Sequence, residues 1–179
     1  MSRFTLISTL TINANKDGHN GLFTNTSLAM LLGCDNDDTF RSFLGKACRN
    51  GTLKRVAKGI YINPLSPPNP RTVLYHVANL LRWSHFNYVS LESQLSHLGL
   101  ISQIPINYLT IMTTGTKGRF DTDYGVIEFT HTKRSASALK NGVYYDEGIS
   151  MFRALPERAE ADLRRVGRNV GLLEESNAE

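Results

Sequence analysis

The chain of 179 residues has two cysteines, one tryptophan and no long apolar run. Two cysteines without a secretory leader do not make a disulfide framework, and Cys48 falls on the apolar side of a predicted helix, where it reads as a buried thiol. No stretch approaches the roughly 18–20 apolar residues that a membrane-spanning helix needs, so no membrane partner is expected. Met1 to Leu10 has neither the apolar centre nor the cleavage pattern of a signal peptide. A soluble, cytoplasmic protein is the expectation. Also absent are a Walker loop, a nucleophile elbow and a Cys–His zinc pattern. The five histidines (His19, His76, His85, His97 and His131) show no ligand spacing, and His97 reads as a helix-end packing residue. Neither enzymatic chemistry nor a cofactor is expected.

Acidic residues are scarce in the first third. Residues 1–62 carry eight Lys/Arg against four Asp, whereas residues 63–179 carry twelve of each sign, so the whole net charge of +4 sits in the first 62 residues. Five of the eight cations fall between Lys46 and Lys58. Cations concentrated on one small domain point to a polyanionic partner.

Proline is concentrated too. Asn63-Pro-Leu-Ser-Pro-Pro-Asn-Pro70 has four prolines in eight residues, which excludes a helix and a central strand and reads as a stiff linker over 63–70. It separates a domain at 1–62 from a second at 71–179. In the first, helices are predicted over Arg3 to Ala14, over Ser27 to Leu32 (capped by Asn25 or Thr26 and ended by Gly33), and from a cap at Asp37 or Asp38 to Arg49. Phe40, Phe43, Leu44, Ala47 and Cys48 form the core-facing stripe of the third helix. Leu53 to Val56 and Ile60 to Ile62 make a hairpin around Ala57-Lys-Gly59. In the second domain, a helix is predicted over Arg71 to Ser84 and a Ser90-capped helix over Leu91 to His97. Strands are predicted at Tyr108 to Thr114, Arg119 to Asp123 and Val126 to Thr132, with a further pair at Val143 to Tyr145 and Ile149 to Phe152. A last helix starts at Pro156 and runs to Arg168. The fold class is α+β: an N-terminal winged helix-turn-helix followed by a mixed α/β domain.

That order of elements suits duplex DNA. A helix fits the major groove, where base edges differ, and a basic hairpin beside it supplies phosphate contacts. With the Phe40 and Leu44 side buried, the third helix shows Thr39, Arg41, Ser42, Gly45, Lys46 and Arg49. Thr39, Arg41 and Ser42 are the candidate base readers, and Lys46 and Arg49 the candidate phosphate contacts. The wing offers Lys54, Arg55 and Lys58. Ser27, with Thr26, stands at a helix start that favours a phosphate.

Three segments carry a family resemblance. Asn50-Gly-Thr-Leu-Lys-Arg-Val-Ala-Lys-Gly-Ile-Tyr61, Tyr88-Val-Ser-Leu-Glu-Ser-Gln-Leu-Ser-His-Leu-Gly-Leu-Ile101 and Ala154-Leu-Pro-Glu-Arg-Ala-Glu-Ala-Asp162 resemble, in that order, three segments of the AbiEi-type antitoxins of type IV toxin–antitoxin (abortive infection) systems. In the second segment Gln94 replaces a residue that is small in the family. The resemblance implies a transcriptional autorepressor that binds repeats in the operator DNA upstream of its own operon. It also implies a second domain that counters a nucleotidyltransferase-like toxin.

Other readings compete. Asp121 and Asp123, two apart on a strand-like run after Gly115-Thr-Lys-Gly118, share one face as Mg²⁺-binding carboxylates of a nucleotidyl-transfer enzyme do. The plainer reading places them in a hairpin. A protein-interaction module is the third alternative. Tyr144, Tyr145 and Phe152 read as core, and Arg164, Arg165 and Arg168 form a smaller second basic patch.

Overall fold

The computed structural model describes residues 1–102, 107–167, 169–171 and 173. The protein is mixed α+β, with seven α-helices and two sheets among the described residues and a helix-rich N-terminal region. It divides into two compact units, Met1–Val77 and the chain from Ala78 onward.

The first unit contains α1 (Arg3–Lys16), β1 (Phe23–Thr24), α2 (Asn25–Leu32), α3 (Asp38–Arg49), β2 (Lys54–Ala57) and β3 (Ile60–Ile62). Each helix starts where a short oxygen-bearing side chain satisfies a free backbone N–H. Ser2 caps α1 by accepting from Thr5 N–H, and Asp37 caps α3 by accepting from Phe40 N–H at 2.7 Å. Thr24, rather than Asn25 or Thr26, caps α2, because Ser27 at the third helical position closes a reciprocal capping box with it. Gly33, in the left-handed conformation at φ 62°, ends α2 and releases the chain into the turn before α3.

Alternate sides of these elements meet in one core. Ile7, Phe23, Leu28, Phe40, Phe43, Leu44, Ala47, Leu53 and Tyr61 are buried together. Phe4 stacks on Phe43 at 5.1 Å between ring centroids, and the Arg3 guanidinium lies over Phe43 at 4.6 Å. The strands form a small antiparallel sheet ordered β1-β3-β2, whose register shifts between Arg55 and Ala57.

The proline-rich segment belongs to this unit and is not a free-standing linker between 62 and 71. Asn63 is fully buried, and its amide donates to Ser8 O, Ser8 Oγ and Thr11 Oγ1 on α1. Asn15 of α1 donates in turn to Ser66 O and Ser66 Oγ. Prolines remove the donors that would pair this stretch into a sheet, so side-chain amides fasten it. The unit boundary therefore falls farther on, inside α4 (Val73–Leu81), which is shorter at both ends than the predicted Arg71–Ser84.

The second unit adds β4 (Asn87–Val89), α5 (Leu91–His97), β5 (Tyr108–Thr113), β6 (Gly118–Thr122), β7 (Gly125–His131), α6 (Ala136–Leu139), β8 (Val143–Asp146), β9 (Met151–Ala154) and α7 (Pro156–Val166). Its six strands form a mixed sheet ordered β6-β7-β5-β4-β9-β8. Central β5 is buried from Leu109 to Thr113 without alternation, as a strand covered on both faces must be. Helices α5 and α7 pack with Tyr88, Met112 and Leu139 around Leu91, Leu95, Ala159 and Leu163.

A buried polar cluster ties this core together. Asp162 of α7, fully buried, accepts from the Tyr88 hydroxyl at 2.8 Å and the Ser90 hydroxyl at 2.9 Å, with Arg134 at 3.6 Å. Burial, with the acidic neighbour Asp162, pushes the Tyr88 phenol far above its usual range. Ser90 thus occupies the N-cap position of α5 without capping it; its hydroxyl serves α7 instead. Next to it Leu91, fully buried, takes a left-handed φ of 57°.

Asn63→Ala should destabilise the first unit by about 1–3 kcal/mol, since it strips partners from buried groups on α1, and should lower the urea midpoint. Leu65→Ala, at a side chain 80% exposed, should leave the midpoint in place. An unchanged midpoint for Asn63→Ala would mean that the proline segment contributes nothing to the fold.

Candidate nucleic-acid interface

Helix α3 has two chemically distinct sides. Phe40, Phe43, Leu44 and Ala47 are buried, while Asp38, Thr39, Arg41, Ser42, Lys46 and Arg49 are exposed. The exposed set recurs every three or four residues, so it forms one continuous stripe along the helix. Two of its three cations, Lys46 and Arg49, lie in the last turn, where they also oppose the negative helix end.

The antiparallel hairpin of β2 and β3 stands beside that stripe. Lys54, Arg55 and Lys58 are all exposed on it, while Val56 and Ile60 turn inward. Between hairpin and helix lies an open cleft of about 680 Å³, lined by Asn25, Arg41, Gly45, Cys48, Arg55, Lys58, Gly59 and Tyr61. Three of the eight lining residues are cations and none is acidic, so the cleft is a place for an anion. The Asn25 amide oxygen, buried on this wall, has no hydrogen-bond partner among the described residues.

The structure brings together Arg41, Arg55 and Lys58 in the cleft, with Thr39, Ser42, Lys46 and Arg49 on the adjoining stripe. Lys54 sits exposed on β2. Ser27 is placed differently from the expectation. Its hydroxyl donates to Thr24 O at 3.1 Å and accepts from Thr24 N–H at 2.8 Å, so a phosphate would have to compete with the capping box. Arg41 is engaged as well: it pairs with Asp38 at 2.9 Å and donates to Asn36 O at 3.3 Å. Both partners of the ion pair are largely exposed, which makes the pair easy to break.

Sequence periodicity misses Asn25, Tyr61 and Cys48 as lining residues. Asn25 and Tyr61 reach the cleft because α2 and β3 fold back beside α3, a long-range fact without a local signal. Cys48 is half-buried rather than buried, and both cysteines are free thiols. Burial pushes the Cys48 thiol up, partly offset by the Arg55 and Arg49 charges. Burial likewise raises the Tyr61 phenol, so the hydroxyl stays neutral and able to donate.

In the second unit the alternative sites look different. Asp121 on β6 pairs with Arg119 at 3.0 Å and is mostly exposed, and Asp123 follows in the turn to β7. No group of three His, Cys, Asp or Glu side chains that could hold a metal ion occurs among the described residues. Tyr144 and Tyr145, expected in the core, are exposed at 39% and 52%, because β8 is an edge strand with nothing beyond it in the sheet order. Arg164 and Arg165 are exposed in the last turn of α7; Arg168 lies outside the described residues. No described helix is long and apolar enough to cross a membrane.

Comparison with known proteins finds no matching family model and no match among curated proteins. Among solved structures the chain is similar to the crystal structure of RV2827C protein from Mycobacterium tuberculosis, at 20% identity and a TM-score of 0.49, over 74% of this chain and 47% of that one. The chain thus spans about half the length of that neighbour.

The exposed cations contribute little to the fold. Arg41→Ala, Lys46→Ala and Arg49→Ala should each change stability by less than about 1 kcal/mol, read from denaturant unfolding. A loss of several kcal/mol for any one would show that its role is structural.

Proposed function

We propose that the chain is a sequence-specific DNA-binding repressor, with α2, α3 and the β2–β3 hairpin as a winged helix-turn-helix. The observation that carries this reading is the cleft between α3 and the hairpin, whose three charged lining residues are all cations, continuous with the exposed face of α3. A helix of this size fits the major groove, and a strand's phosphates lie within reach of cations on either side of it. In this reading Arg41, with Thr39 and Ser42, reads bases, whereas Lys46, Arg49, Lys54, Arg55 and Lys58 meet phosphates.

We infer further that the repressor acts on the operator of its own operon and is the antitoxin of a type IV toxin–antitoxin pair, acting in the cytoplasm in phage defence by abortive infection. The resemblance of three segments to the AbiEi-type antitoxins supports this. The spatial meeting of two of them adds to it: Tyr88 and Ser90 of the second segment both bond Asp162 of the third. The partner would be a nucleotidyltransferase-like toxin.

Mobility shifts of the DNA upstream of this gene, against random DNA of equal length, across a salt series, test the reading. The upstream duplex should be preferred, with affinity falling steeply as salt rises. Arg41→Ala should lose about 1–3 kcal/mol on the operator and relax specificity. Lys58→Ala should weaken binding on every sequence and reduce the salt slope by about one unit. No shift on either DNA at low salt would overturn the proposal.

A further inference from the structure

The exposed stripe of α3 has a glycine at its centre. Gly45 lies one turn after Arg41 and one turn before Arg49, and it forms part of the cleft wall. The fold supplies no reason for it. Its φ is not positive, and a Cβ built there would meet nothing nearer than Arg49 Nη1 at 3.6 Å, an ordinary contact with the end of a flexible chain. Other glycines of the protein differ. Gly59, across the cleft, has a φ of 72° that its turn requires, and at Gly125 a Cβ would strike the Asn107 carbonyl oxygen.

Glycine inside a helix loses more conformational freedom on folding than alanine does, and so weakens the helix. Gly45 thus costs stability while serving neither conformation nor packing. What it provides is bare backbone on the wall of a cleft that also presents Arg41, Arg55 and Lys58.

We propose that Gly45 is the point of closest approach between the protein and DNA: one sugar–phosphate strand of the duplex seats in the cleft against the α3 backbone. This inference rests on the DNA-binding reading and names the residue that sets the depth of docking. Charge-assisted hydrogen bonds to phosphate hold at about 2.7–2.9 Å. A methyl group on the cleft wall displaces the strand by more than such bonds tolerate, so Arg55 and Lys58 lose their phosphates and Arg41 its base edge together.

The test compares the full chain with Gly45→Ala and Gly45→Leu, both good helix formers, by melting temperature and by affinity for the upstream duplex at low salt. Gly45→Ala should melt about 2–4 °C higher than the parent and bind about tenfold more weakly, and Gly45→Leu should bind more weakly still. Unchanged affinity in both variants, with the parent binding normally, overturns the role of Gly45 and leaves the DNA-binding reading standing. A lower melting temperature for Gly45→Ala also overturns it, since the fold would then need the glycine. Absence of binding by the parent chain overturns the DNA-binding reading itself, and this inference with it.

Discussion

The burial of one side of α3 governs the first unit. Phe40, Phe43, Leu44 and Ala47 cannot leave the core without exposing aromatic and aliphatic surface, at about 25 cal/mol per Å². With that side fixed, rotation of the helix about its axis is fixed too. Thr39, Arg41, Ser42, Lys46 and Arg49 then face outward by geometry. The hairpin is positioned by the same core, through Leu53 and Tyr61, so both cationic walls of the cleft are referred to a common set of apolar contacts.

A different device orders the second unit. There a fully buried carboxylate, Asp162, accepts hydrogen bonds from two hydroxyls of one strand-to-helix junction. A buried charge is tolerated only when paired and hydrogen-bonded, and the half-buried guanidinium of Arg134 supplies the opposite charge. The polar lining continues along β9, where Arg153 joins Asp146 at 2.6 Å to Gln94 at 3.1 Å, and Gln94 donates on to Ala154 O. Gln94 therefore has a defined place: it links α5 to β9. The first unit is anchored by apolar surface, the second by apolar surface threaded with a hydrogen-bond chain.

Much of this was legible in the residues. The three N-terminal helices, the hairpin from Lys54 to Ile62 and the strand order along the chain follow from periodicity, caps and turn residues, because those signals are local. Boundaries moved where a neighbour in space competed with the local signal. Thr24 took the cap of α2 because Ser27 could answer it, and Ser90 left its cap for Asp162. The proline segment read as a linker because proline excludes regular structure; its attachment through Asn63 and Asn15 depends on residues some fifty positions apart. The short α6 carries too few residues for a period to register. Tyr144 and Tyr145 look like core by type and are exposed by position on an edge strand. Among the candidate interface residues the cations were legible as a cluster, whereas the cleft and its neutral lining required the fold.

The ion pair between Asp38 and Arg41 has a consequence for how the proposed DNA reader would discriminate. Before any encounter, Arg41 already has an acceptor of its own. A sequence offering it nothing better leaves the pair closed, with the guanidinium charge spent on Asp38 rather than on the duplex. Mismatched DNA would gain nothing from Arg41, and only a site whose acceptors outcompete the carboxylate would draw the guanidinium away. The carboxylate would thus act as a gatekeeper against the wrong sequences, a role in which its cost to overall affinity is the source of its selectivity.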